Sequence, residues 1–145
     1  MATAALRERL DEYGRVHATR GNRVCHWIGI PLIVVALLGL LARVPLAEVA
    51  GVPLTAAELL LAVALVYYVR LDALLAVLMI PLVVLMDLAG RALPLWANVA
   101  LFVVGWIFQL VGHAVYEKKS PAFLRNVAHL LIGPLFLLAK AMRRV

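Results

Sequence analysis

The chain has one cysteine in 145 residues, and only 15% of its residues are charged. A lone Cys25 excludes an intrachain disulfide and reads as a small apolar residue near a helix start. So little charge, with 66% hydrophobic residues and a mean hydropathy of +1.01, excludes an ordinary soluble domain, which is about half apolar. No internal repeat is visible, so an inverted-repeat transporter has no support. There is no glycine-rich phosphate loop and no Ser/His/Asp order. Residues 1–23 mix acidic and basic side chains and lack the apolar core of a signal peptide. The net charge of +6 would suggest nucleic acid in a soluble protein. Here Arg20, Arg23, Lys118 and Lys119 have no interleaved aromatic platform, so nucleic acid is not an expected partner. The basic residues flank apolar runs and point to topology and anionic headgroups instead.

What is present is a series of apolar runs, which predicts an all-α membrane protein forming one domain over residues 1–145. Leu6, Leu10, Tyr13 and His17 follow helical spacing, so residues 3–18 predict an amphipathic helix lying in the interface plane. Gly21-Asn22 predicts a break. Four transmembrane helices are expected: about 23–42, 54–69, 71–88 and 95–116, with a loop at Pro45–Pro53. The tail, 122–142, is less hydrophobic and carries Gly133-Pro134, expected as a break. It predicts an interfacial or re-entrant helical segment. With four spans, 12 of the 14 Lys and Arg fall on one side and only Arg43 and Arg91 on the other. The positive-inside rule then puts both termini in the cytoplasm, in what reads as a bacterial inner membrane. Asp87 and Arg91, four residues apart, read as a structural pair.

All four histidines fall at that basic edge. Gln109, His113 and Glu117 are spaced i, i+4, i+8, drifting only about 40° per step around a helix. On one unbroken helix His17 and His26 would point about 180° apart, so a corner between them is needed before they can share a ligand. Three imidazoles from separate elements suit Zn²⁺ or Fe²⁺, with Glu117 or Gln109 as a fourth ligand or supporting partner. Asn22, four residues before His26, is placed to orient its ring or meet a substrate. The structural alternative is that each histidine is an amphipathic interfacial residue and Glu117 an ion-pair partner of Lys118 or Lys119.

Tyr13-x3-His17-x4-Asn22-x3-His26-x4-Pro31, together with Gly105-Trp-Ile-Phe-Gln109-Leu-Val-Gly-His113-Ala-Val-Tyr-Glu117-Lys-Lys-Ser-Pro121, resembles two signatures of a known family. It is that of the small membrane proteins that include the fungal 2-hydroxy fatty acid dioxygenase of phytosphingosine breakdown. The resemblance covers nearly the whole chain. It implies an Fe²⁺- and O₂-dependent enzyme that shortens 2-hydroxy fatty acids by one carbon. Its histidines carry over onto His17, His26 and His113. The expected site is therefore His17, His26, His113 and Glu117 for catalysis, with His17, His26, His113 and His129 as metal ligands. Asn22, Gln109, Arg20, Arg23, Lys118 and Lys119 are expected to meet the substrate. Iron is the expected metal, with zinc possible in a purified protein. Membrane lipid and a second copy of the chain are further candidate partners. Two other functions stay open: an electron-transfer protein with haem between two histidines such as His26 and His113, and a non-catalytic lipid-binding scaffold.

Overall fold

The computed structural model describes residues 3–15, 17–118 and 128–142, without the side chains of Ala4, Ala5, Ala128 and His129. Within them the chain is mostly helical: α1 (Ala4–Arg15), α2 (Arg20–Leu41), α3 (Ala56–Leu71), α4 (Ala73–Ala92), α5 (Leu95–Val111), a π-helical turn (Gly112–Glu117) and α6 (Ala128–Ala141).

Each boundary has a local cause. Thr19 caps α2 by accepting from the Asn22 N–H. Thr55 and Glu58 form a capping box at the start of α3. Asp72 ends α3 and caps α4 by accepting from Leu75 N–H. The expected loop after α2 is instead a β-hairpin, β1 (Pro45–Val49) against β2 (Val52–Thr55). Ala50 (φ 51°) and Gly51 (φ 79°) both turn left-handed, as a two-residue hairpin loop matching strand twist requires. The purely helical expectation is corrected there.

Three helices are long and apolar enough to cross a membrane by length and composition: Arg20–Leu41, Ala73–Ala92 and the continuous Leu95–Glu117. The 16 residues of α3 rise only about 24 Å, short of a hydrocarbon core of about 30 Å. α3 is tied at both ends. Its first turn pairs with the end of α4 through Glu58–Arg91, and its last carbonyl, on Leu71, accepts from Thr3 in front of α1. So α2, α3, α4 and α5 alternate in direction, and the start of α2 and the end of α5 meet at one end. Arg91 also bonds Asp87 at 2.7 Å, the pair expected from spacing.

Two glycine-containing breaks expected from the sequence are absent. The chain turns at His17–Thr19, and α2 is already helical through Gly21 and Asn22. Gly21 lies against the ring of Tyr116, 2.2 Å from where a Cβ would sit, so the residue serves close approach rather than a turn. Likewise α6 runs unbroken through Gly133-Pro134. Pro134 leaves the carbonyl four residues back without an N–H donor, and the adjacent Leu131 carbonyl accepts from the Tyr68 hydroxyl at 2.7 Å. The apolar face of α1 is also spent differently. Leu6, Leu10 and Tyr13 are buried in one cluster with Ile132, Leu135 and Phe136 of α6, rather than offered to lipid. The outward faces of α4 and α5 remain apolar and exposed, Leu85, Leu88 and Trp96 among them.

Candidate metal centre

His17 follows α1, His26 lies in the second turn of α2, and His113 sits on the π-helical turn that continues α5. All three are buried, and one ligand nitrogen from each lies within 4.8 Å of the others. The corner at His17–Thr19 is what brings His17 round to His26.

The hydrogen bonds fix the tautomers of two rings. His17 Nδ1 lies 2.6 Å from the Tyr13 carbonyl, and His26 Nδ1 lies 2.9 Å from the Asn22 carbonyl. A carbonyl only accepts, so each Nδ1 carries the proton and each Nε2 presents a lone pair. Those two Nε2 atoms face each other at 3.0 Å. Burial, and then the neighbouring His26, push His17 down to about 3, which disfavours a proton shared between them. Two lone pairs in contact repel unless a cation lies between them. Two nitrogens bound side by side to one metal, at about 2.1 Å each, are themselves about 3.0 Å apart at a right angle and about 3.4 Å apart at the tetrahedral angle. The third ring, His113, has a buried Nδ1 with no hydrogen-bond partner among the described residues. The donor set therefore fits a divalent metal ion of the kind imidazole favours.

The surroundings hold these rings in place. Tyr13 stacks on His17 with centroids 3.9 Å apart and planes 14° apart. Gly112 lets α5 close on α2, since a Cβ there would lie 2.3 Å from Asn22 Oδ1. Glu117 does not point into the cluster. Its Oε1 accepts from Thr19 N–H (2.7 Å), Thr19 Oγ1 (3.1 Å) and Asn22 Nδ2 (3.2 Å), which clasps the π turn to the start of α2. π turns inside α-helices are frequent at functional sites, and this one redirects Glu117 away from the stripe that ideal α spacing predicts.

A cavity of about 840 Å³ opens from the rings and runs among α2, α3, α4 and α5 beneath α6. From His26 to Leu38 it follows α2 for about 18 Å, comparable to one leaflet of a bilayer whose core is about 30 Å thick. Its walls are aliphatic and aromatic. Among the described residues, only Tyr13, Tyr68 and Gln109, besides the three histidines and two indoles, bring polar groups to it.

Of the residues expected from sequence, His17, His26 and His113 come together, and Gln109 joins them at the cavity. Asn22 supports the centre through its carbonyl and its bond to Glu117. Arg20, Arg23 and Lys118 do not line the cavity, and the Arg23 guanidinium donates to the Ala18 carbonyl at 2.8 Å. Lys119 and the His129 side chain lie outside the described residues. Sequence reasoning gave no role to Tyr13 as a ring support, to Thr19 or to the wall formed by α6. The i, i+4 spacing of Tyr13 and His17, and a threonine just before a helix, are the signals that carry the first two.

Residues 3–145 match the model of a family described as 2-hydroxy-palmitic acid dioxygenase Mpo1-like. The chain is 33% identical over 138 residues to the 2-hydroxy-palmitic acid dioxygenase MPO1 of Saccharomyces cerevisiae, covering 92% of this chain and 77% of the yeast protein. No solved structure matches. Two histidine lone pairs converging at the end of a lipid-length cavity agree with a match along the whole chain: this protein belongs to the Mpo1-like family.

Proposed function

We propose that this protein is a membrane-embedded, Fe²⁺-dependent dioxygenase that shortens 2-hydroxy fatty acids by one carbon. The observation that carries the reading is the 3.0 Å contact between two Nε2 atoms, each on a ring whose Nδ1 faces a carbonyl, at one end of an apolar cavity. His17, His26 and His113 would hold the iron. The chemistry such an iron supplies when bound is the reaction of O₂ with a hydroxy acid held beside it. Everything else falls to the chain. Tyr13 and the Tyr13 and Asn22 carbonyls fix the ligand rings, and Glu117 keeps the two helix ends together. The cavity takes the acyl chain and keeps water from the reacting carbons.

The reaction balances without another reductant: R–CH(OH)–COOH and O₂ give R–COOH, CO₂ and H₂O. The bond between C1 and C2 breaks, the substrate gives up four electrons, and O₂ is fully reduced. The proposal takes α3 as a fourth span, which puts the centre at the end of the bundle rich in Lys and Arg and hence on the cytoplasmic side.

A haem between His26 and His113 fits poorly. Their centroids are 4.9 Å apart at 88°, and His17 touches both rings, leaving no slot for a planar macrocycle. The test is the detergent-purified, Fe²⁺-loaded protein given 2-hydroxypalmitate, with O₂ uptake and the acid one carbon shorter measured together. Equal uptake and product, lost with the iron in His113→Ala, is the expected result. An active, iron-replete His113→Ala protein sinks the assignment.

A further inference from the structure

Among the described residues, Gln109 lines this cavity and carries a side-chain donor that nothing satisfies. The residue is 6% exposed, and its Nε2 is buried with no hydrogen-bond partner. It sits one helical turn before His113 and lines the same cavity. Its position is not slack. α2 and α5 cross here at Gly29 and Gly105, and a Cβ on Gly29 would lie 2.5 Å from Gln109 Nε2 and 2.8 Å from the Gly105 carbonyl. A larger residue at 29 would push the amide out of place, so the seam keeps room for it. A buried amide donor with no acceptor costs free energy in apolar surroundings and is worth retaining only if something pairs with it part of the time.

Among the described residues, the charged side chains expected to meet an acidic head group, Arg20, Arg23 and Lys118, do not line the cavity. A fatty acid lying along it with its head at the histidines brings acceptor oxygens and an otherwise apolar body. Resting on the dioxygenase reading, we infer that Gln109 is a substrate-binding residue whose Nε2 donates to a head-group oxygen of the 2-hydroxy acid. This amide aligns the head beside the histidines while the chain fills the cavity. It recognises oxygen at the acid end and is indifferent to chain length.

The test uses the full-length, metal-loaded protein in detergent micelles, with Gln109→Leu and Gln109→Glu beside the parent. Leucine keeps the volume and removes the donor, and glutamate keeps the shape and offers only acceptors once ionised, so its affinities are measured up to about pH 9, where a buried carboxyl gives up its proton. Metal content is measured first, then dissociation constants for 2-hydroxypalmitate and palmitate without O₂, then KM and kcat with O₂. Both variants should keep a full complement of metal and bind 2-hydroxypalmitate about 10–100-fold more weakly, the range expected for an unpaired buried donor. KM should rise more than kcat falls, and Gln109→Glu should be the worse of the two. A loss shared by palmitate places the bond on the carboxylate, and a loss confined to the 2-hydroxy acid places it on the hydroxyl. Either supports the inference. Affinities within twofold of the parent for both acids overturn it, as does loss of metal in a folded variant. If leucine prevents folding, Gln109→Glu alone decides by the same criteria. A parent protein that binds 2-hydroxypalmitate through Gln109 but never oxidises it would defeat the dioxygenase reading and leave this one standing.

Discussion

Removing the Glu117 carboxylate separates a clasp from a ligand. Three donors converge on its Oε1, from Thr19 N–H, Thr19 Oγ1 and Asn22 Nδ2, at 2.7–3.2 Å. Asn22 in turn orients His26, while Glu117 ends the π turn that carries His113. In Glu117→Ala the two helix ends lose their common acceptor. A hydrogen bond to a charged group is worth about 1.5–3 kcal/mol, but this site is only part-buried and water can replace some of the loss. A supporting partner of a metal ligand typically accounts for about 10–100-fold in metal affinity, or about 1.4–2.7 kcal/mol. The two figures agree if the equivalent of about one of the three bonds is lost.

Glu117→Gln preserves an acceptor oxygen of the same reach, so it should bind metal within a few-fold of the parent. The assay is titration of the metal-free protein with Co²⁺, followed by its visible absorption, with iron retention after dialysis alongside. A weaker Glu117→Ala whose Co²⁺ spectrum keeps the parental shape is the expected outcome. The reasoning fails if Glu117→Gln is as damaged as Glu117→Ala with an altered spectrum, which would make the carboxylate a ligand. It fails equally if Glu117→Ala binds like the parent.

Single replacement of His17, His26 or His113 by alanine should each abolish stoichiometric iron and turnover together; metal analysis with O₂ uptake checks this. Gly112→Ala places a Cβ 2.3 Å from Asn22 Oδ1, so it should destabilise by about 1–3 kcal/mol and lower the melting temperature and the iron content together. Arg91→Met, at the far end, breaks a largely surface ion-pair network worth about 1 kcal/mol or less, and activity should survive it once folded. In the metal-free protein the depressed His17 sets a pH dependence. The unfolded chain takes up a proton near the ordinary imidazole value of about 6.5, but the folded chain only near 3, so stability is full above about pH 6.5 and falls as pH drops from there toward 3. Melting curves across that window that do not move would contradict the burial of a neutral His17.

Much of the centre was legible because it depends on helix ends. Three histidines flanking apolar runs on the basic side of the chain had to meet if those runs alternate in direction, and they do. The ion pair of Asp87 and Arg91 was equally local. What was not legible is contact made between elements. Gly21 and Gly133 look like turns in one dimension, but one is packed on Tyr116 and the other lies beside the Tyr13 hydroxyl and Ile30. A π turn has no strong sequence signature, and it changed Glu117 from a point on the histidine stripe to an acceptor for Thr19. Ala50 adopts a left-handed backbone that alanine disfavours, so the hairpin was hidden behind an unpromising turn sequence. The amphipathic face of α1 was correctly seen, but sequence alone does not say whether lipid or α6 covers it.

The surrounding membrane also determines where selectivity must reside. A soluble lipid-binding protein gains about 0.8 kcal/mol for each CH₂ it takes from water. A substrate that moves from the leaflet into this cavity has already made that transfer, so lengthening the chain adds little until it meets a wall. Discrimination therefore falls to the polar end, where a group that fails to find its partner inside the protein has no water to fall back on. Among the described residues, three imidazoles, Tyr13 and Gln109 line that end, with largely aliphatic wall beyond. Such a site should be lenient about chain length and strict about oxygen substitution at the acid end. The two properties are separable, because the first is set by α2, α3 and α4 near Leu38, Leu60 and Met86 and the second by groups about 18 Å away along α2.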